Sequence, residues 1–249
     1  MPEGVPVMTT DRPFTDKLEA PDVPKMPDEY QALLKRVLRI QADCEIGGPH
    51  LYVNQWLLTA PSADDQWMLA KVAGEEIDHF RKMNRLLNDL GEDASELMYI
   101  EKSRRDLEAF RQAMPTWADV AAFGFLIDRV GQYQLEEFVG CSYAPLDRAL
   151  PRIIQEERTH VGYGLVKLRD MMRTEEGKAL AQAAVDRWYP RGLDMFGRSN
   201  STRAARYQYW GLKRRSNEAA RTEYVAEVAV QIEALGLRVP DATSGRHFR

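Results

Sequence analysis

Two Glu-x-x-His triplets, Glu76-Ile77-Asp78-His79 and Glu157-Arg158-Thr159-His160, stand in a chain with only four histidines. Each follows a lone acid, Glu45 or Asp128, at nearly the same interval. On a helix, residues three apart share a face, so each triplet aims a carboxylate and an imidazole at one point. Four-helix proteins that hold two metal ions draw one carboxylate from each of two helices and one Glu-x-x-His from each of the other two. The pattern therefore predicts a four-helix bundle with a carboxylate-bridged di-iron site.

Depth in the bundle selects the upstream acids. In an antiparallel helix pair two side chains meet only when they lie equally far from the turn, because each residue climbs about 1.5 Å. Glu45 and Glu76 are centred on the Ala60-Pro61 junction, a turn followed by a helix start. Asp128 and Glu157 are centred between Ser142 and Tyr143, where Pro145 suits a first helical position. Glu136 and Glu137 compete with Asp128, but they would miss the level of Glu157 by roughly 12 Å. Asp128 is preferred on that ground.

The motif alone is weak. Two of four histidines would carry a Glu three positions earlier by chance in roughly one chain in twenty-five, and an acid three residues before a histidine is also an ordinary exposed helix pair. The two depth-matched acids tip the balance. They fall at mid-helix positions, where an uncompensated buried charge is costly and a metal would resolve the cost.

At 249 residues and 28.5 kDa the chain can bury a substantial core. A net charge of −4 disfavours a general nucleic-acid or anionic-membrane binder. No stretch reads as a bilayer span and the first residues lack the features of a secretory signal, so the expected location is the cytoplasm. Cys44 and Cys141 offer neither a disulfide framework nor a metal cluster. Cys44 is expected to point off the face of Glu45 as a small core residue.

Residues 1–27 hold six prolines and read as an extended arm, either disordered or laid across a partner subunit. Residues 28–172 carry the bundle: helices from Asp28 to about Leu58, Ser62 to Leu90, Thr116 to about Gly140 and Pro145 to about Met172, with a shorter helix expected between 92 and 115. A C-terminal helical extension follows over 173–240. It reads as a helix over 174–188, a break at Pro190, and a last helix from Ser216 to Leu235, with Val228, Val230, Ile232 and Leu235 docking on the bundle. Residues 241–249 form a tail. The fold class expected is all-α.

Several segments carry a resemblance beyond the ligands. Asp43-Cys44-Glu45-Ile46, Ala70-Lys71-Val72, Thr116-Trp117-Ala118-Asp119 and Cys141-Ser142-Tyr143 resemble the family of ring-1,2-phenylacetyl-coenzyme A epoxidase catalytic subunits. So do Arg187-Trp188-Tyr189-Pro190, Met195-Phe196-Gly197, Lys213-Arg214-Arg215-Ser216-Asn217 and Leu235-Gly236-Leu237, in the same order. The likeness extends over about residues 27–245. It implies a ferritin-like di-iron subunit that uses dioxygen and electrons from a separate NADPH-dependent reductase. A similar non-catalytic helical subunit is the implied partner, in an oligomer, and an aryl-coenzyme A the implied substrate. Its ligand pattern falls on Glu45, Glu76, His79, Asp128, Glu157 and His160, with Glu45, Glu76 and His79 mainly on one iron, Asp128, Glu157 and His160 on the other, and Glu76 and Glu157 as bridges.

Two departures bear on the substrate and the partner. Arg129, Gln132, Gln134 and Glu136 stand where smaller or more apolar residues are expected, and the chain ends soon after Gly245, where the family's catalytic subunit continues. Coenzyme A carries phosphates, so cationic donors should stand beside an apolar tunnel. Lys213, Arg214, Arg215 and Asn217 are the substrate-binding candidates, with Lys71 as a further one. The competing reading of that segment is a solvated basic turn. Two other functions use the same ligands: an iron-oxidising or iron-storing ferritin-like protein, and a non-catalytic scaffold subunit with a vestigial site. The sequence leaves the acyl group open, and the choice between epoxidation and hydroxylation.

Overall fold

Short polar side chains set the helix starts. Ser62 and Thr116 accept from the backbone N–H groups of Asp65 and Asp119, and Asp119 answers the N–H of Thr116. Thr174, Ser201 and Ser216 cap later helices in the same way; each such cap contributes about 1 kcal/mol. The computed structural model describes residues 14–248. Its helices are α1 (Asp28–Trp56), α2 (Ala63–Asn88), α3 (Trp117–Glu137), α4 (Ala144–Met171), α5 (Glu175–Met195), α6 (Thr202–Tyr209) and α7 (Asn217–Ala234). The chain is all-α, with no strand among the described residues and one isolated bridge between Leu18 and Tyr143.

Helices α1 and α2 form one hairpin and α3 and α4 a second, α2 meets α4 across the bundle, and α5 packs on α3. Apolar residues fill the bundle above and below a polar layer. On one side lie Leu51, Tyr52, Leu69, Val72, Phe125 and Leu168; on the other lie Ala42, Ile46, Phe80, Met83, Leu150 and Ile153. Each large apolar side chain buried this way contributes roughly 1.5–3 kcal/mol.

Two glycines set the spacing of α3 and α4. A Cβ on Gly164 would come within 2.4 Å of the Phe125 backbone nitrogen and 2.6 Å of the Ala121 carbonyl, so the backbones touch there. Gly124 meets the same crossing from the other side. In α1 the helix runs through Pro49, whose missing N–H frees the carbonyl of Glu45 one turn earlier.

Several sequence expectations change in detail. Between 92 and 115 the chain makes three short 3-10 segments, Ser95–Met98, Lys102–Arg104 and Glu108–Arg111, instead of one helix. Arg105 explains the interruption: it adopts extended backbone and buries its guanidinium, which donates to Asp43 at 2.6 Å and also contacts His50. Helix α5 passes through Pro190 to Met195 rather than breaking. An interior proline costs about 3 kcal/mol, and Trp188, Tyr189 and Leu193, all fully buried around it, outweigh that. The short helix α6 has too few apolar positions, Ala204 and Tyr207 being its buried ones, to declare itself by periodicity. On α7, Val228, Ile232 and Leu235 are buried as expected, whereas Val230 is 66% exposed because it lies on the opposite face.

Of the arm, residues 14–27 pack on their own chain and the rest lies outside the described residues. Leu18 donates to the Ser142 carbonyl and accepts from Ala144 across the α3–α4 turn, Phe14 donates to the Tyr209 carbonyl, and Ala20–Lys25 forms a 3-10 turn that buries Val23. No described helix is long and apolar enough to cross a membrane.

Candidate metal centre

All six acids and imidazoles singled out by spacing converge on the polar layer. Ligand atoms of Glu45, Glu76, His79 and Glu157 lie within 4.8 Å of one another, and those of Glu76, Asp128 and His160 do likewise. Glu76 therefore belongs to both groups. Contacts cross between the hairpins: Nδ1 of His79 on α2 is 3.2 Å from Glu157 on α4, and Nδ1 of His160 on α4 is 3.1 Å from Glu76 on α2. Glu157 also faces His160 at 3.7 Å, so it spans the two imidazoles, and Glu45 reaches His79 at 3.2 Å. The first group thus includes Glu157, which the sequence reading places mainly with Asp128 and His160. Glu136 lies elsewhere, accepting from Gln132 at 2.8 Å.

The outer nitrogens of both imidazoles are held by residues the sequence reading does not single out. Nε2 of His79 lies 2.9 Å from Glu156, and Nε2 of His160 lies 3.0 Å from Glu75. Each outer glutamate sits one residue before the inner glutamate of its own helix and serves the histidine of the other. The doubled acids Glu75-Glu76 and Glu156-Glu157 were the available signal. Cations one turn earlier pair with them, Lys71 with Glu75 at 2.8 Å and Arg152 with Glu156 at 2.8 Å.

Charge at the centre is coupled. Burial opposes a charge on His79 and His160, but Glu157 with Glu45, and Glu157 with Glu76, outweigh it and push the imidazoles to about 11 and about 12. Burial would lift Glu157, yet the two histidines hold it at about 2. Glu76 and Asp128 go the other way: burial, and then repulsion from Glu157, raises both well above the ordinary carboxylate range. Such a concentration of buried acids and imidazoles is what a pair of divalent ions would neutralise. The donor set fits that group. Nδ1 of His160 has no hydrogen-bond partner among the described residues although it faces inward among carboxylates, and both histidines have their outer nitrogens occupied, which leaves the inner ones for ligation.

A cavity of about 30 Å³ opens at this layer, lined by Glu45, Glu76, Asp128 and Glu157 together with Cys44 and Tyr52. Cys44 packs against the apolar core as expected and also borders this cavity; burial and the neighbouring Asp43 and Glu45 push its thiol upward. Gln41 and Gln134 line this cavity and also a cleft of about 610 Å³ between α1, α3 and the α5–α6 segment. Arg36, Arg198, Arg203, Lys213 and Asn217 line the cleft. Burial, with Arg215 nearby and Glu137 opposing, lowers the ammonium of Lys213.

The other predicted substrate-binding residues lie off this cleft. Lys71 is engaged by Glu75 beside the polar layer. Arg215 is committed to Glu137 and Glu223, while Arg214 is exposed. Arg129 turns to Glu227 of α7; of the four unusual residues on α3, Gln134 alone lines the cleft.

The chain matches the phenylacetic acid catabolic protein family over residues 8–248 and belongs to it. It is 30% identical over 236 residues to a component of the 1,2-phenylacetyl-CoA epoxidase of Escherichia coli (strain K12), a match that covers 90% of this chain and 75% of that one. It is also 27% identical over 223 residues to component B of benzoyl-CoA oxygenase from Aromatoleum evansii, covering 78% of this chain and 47% of that protein.

Proposed function

We propose that this chain is the di-iron subunit of a multicomponent, dioxygen-dependent oxygenase that acts in the cytoplasm on an aromatic acyl-CoA, by epoxidation or hydroxylation. The observation that carries the reading is the crossed donor set: two carboxylate–imidazole groups sharing Glu76, in a cavity that shares Gln41 and Gln134 with a cleft of substrate size. Both relatives described above are oxygenase components named for acyl-CoA thioesters. Two iron ions held there would supply the electron pair for reduction of dioxygen.

The chain's own residues do the rest. Glu45, Glu76, His79, Asp128, Glu157 and His160 hold the metals, and Glu75 and Glu156 fix the imidazole rings. Apolar layers on both sides keep bulk water away from the reacting atoms. Arg36, Arg198, Arg203 and Lys213 bind the phosphates of coenzyme A at the cleft, since charge-assisted donors suit that polyanion. Electrons enter from a separate NADPH-dependent reductase, and a homologous non-catalytic helical subunit completes the assembly.

Iron-loaded protein, supplied with a reductase and a panel of aryl thioesters, is expected to give a product heavier by one oxygen atom. An intact di-iron spectrum with no oxygenated product from any thioester would count against the reading. Mineral formation with excess ferrous iron would favour an iron-storing protein instead.

A further inference from the structure

Gln41 of α1 and Gln134 of α3 stand on the wall between the metal cavity and the cleft, since both line both spaces. Their carboxamides are oriented by their partners. Nε2 of Gln134 donates to the Met195 carbonyl at 3.0 Å, and a carbonyl oxygen can only accept. Nε2 of Gln41 donates to a carboxylate oxygen of Glu45. Each Oε1 is consequently an acceptor, and neither has a hydrogen-bond partner among the described residues.

The cavity volume of about 30 Å³ is room for little more than a water molecule. An aromatic ring approaching the metal layer from the cleft therefore lies across the Gln41–Gln134 wall. A bare hydrocarbon ring would displace water from two acceptors and return nothing, and a buried acceptor without a donor is costly. A ring that bears a hydroxyl or amino group restores the hydrogen bond, and a site with fixed polar groups discriminates strongly against the analogue that lacks the matching group.

We infer that the acyl-CoA taken by this chain carries a hydrogen-bond-donating ring substituent, a hydroxyl or an amine, read by Oε1 of Gln134 on the wall it shares with Gln41. The inference rests on the aryl-CoA reading above and narrows its substrate class. Gln134 becomes the specificity-determining residue of α3.

Binding of phenylacetyl-CoA, 3-hydroxyphenylacetyl-CoA, 4-hydroxyphenylacetyl-CoA and free coenzyme A to the full chain by titration calorimetry tests it. At least one hydroxylated thioester is expected to bind about tenfold or more tightly than phenylacetyl-CoA. Gln134→Met and Gln134→Lys both remove the acceptor, and the lysine keeps a donor for the Met195 carbonyl. Both variants should lose the preference; Gln134→Met, which adds no charge to the cleft, should bind free coenzyme A like the unmodified chain, which also reports an intact cleft. Equal affinities for the hydroxylated and bare thioesters, or a preference that survives in both variants, overturn the inference alone. Absence of binding by coenzyme A and by every thioester removes the aryl-CoA reading and the inference with it.

Discussion

Nε2 of His79 on α2 lies 2.9 Å from Oε2 of Glu156 on α4, so the first hairpin's imidazole is aimed by the second hairpin's carboxylate. Glu75 performs the same service for His160 in the opposite direction. Each triplet is thereby oriented by the other, and neither hairpin alone completes its half of the centre. Loss of such an outer partner typically weakens metal affinity by about 10–100-fold. Glu156→Gln and Glu75→Gln are expected to fall in that range in an anaerobic ferrous titration while retaining the helical circular dichroism of the parent. Unchanged affinity in both variants would remove the positioning role. Arg152→Ala deletes only an exposed partner of Glu156, and its effect should be far smaller.

Metal loading should release protons. The carboxylates around His79 and His160 raise the imidazoles to about 11 and about 12, so both are imidazolium near neutral pH, whereas ligation requires the neutral ring. The raised values stabilise the metal-free fold fully below the ordinary imidazole value of about 6.5, and that contribution is lost as pH rises through about 11 to 12. Glu157, held at about 2, stabilises above its ordinary value and loses that contribution as pH falls through about 2. Titration calorimetry in buffers of different ionisation enthalpy should detect about two or more protons released per loaded chain, and tighter binding as pH rises from 6 to 8. Metal binding without proton release would contradict these charge states.

The α3–α4 crossing should not tolerate a methyl group. In Gly164→Ala the new Cβ would meet the Phe125 nitrogen and the Ala121 carbonyl, and backbone cannot give way as a flexible side chain can. Overpacking of this kind costs about 1–3 kcal/mol or more. Because Gly164 lies one turn beyond His160, iron content should fall together with Tm. Gly162→Ala meets nothing within 4 Å and serves as the control on the same helix. A Gly164→Ala chain with parental Tm and full iron content would overturn the close-crossing argument.

Tyr52 offers a test with the opposite sign. Its hydroxyl is buried on the cavity at the polar layer and has no hydrogen-bond partner among the described residues, while burial and the nearby Glu76 raise its pKa and keep it protonated. Removing a buried polar atom that makes no bond relieves its desolvation cost. Metal-free Tyr52→Phe is expected to match or exceed the parent in thermal stability. A loss of more than about 1 kcal/mol would show that the hydroxyl has a partner in solution.

What could be read in advance followed from helical periodicity and local chemistry. Glu45, Glu76, Asp128 and Glu157 were legible because equal distance from a turn translates directly into equal height in a hairpin, and Thr116 marked the start of α3 as a good capping residue. Glu75 and Glu156 were visible as doubled acids, but their partners lie on the other hairpin, and a single helix gives no sign of that. The path through Pro190 was hidden because the burial of Trp188 and Leu193 against the rest of the fold overrides a local breaker. Arg36, Arg198 and Arg203 come together only in three dimensions, whereas the contiguous basic run at 213–215 includes Arg214 and Arg215, which do not line the cleft.

Anaerobic titration with ferrous iron, followed by metal counting on the desalted protein, tests the proposed six-ligand centre most directly. The unmodified chain and Glu136→Gln should saturate at two irons per chain, because Glu136 bonds to Gln132 outside the ligand groups. Asp128→Ala should saturate at one or fewer, since it loses a carboxylate that groups with Glu76 and His160. Two tightly held irons in Asp128→Ala, with iron lost from Glu136→Gln, would contradict both the ligand set and the helix register that brings it together.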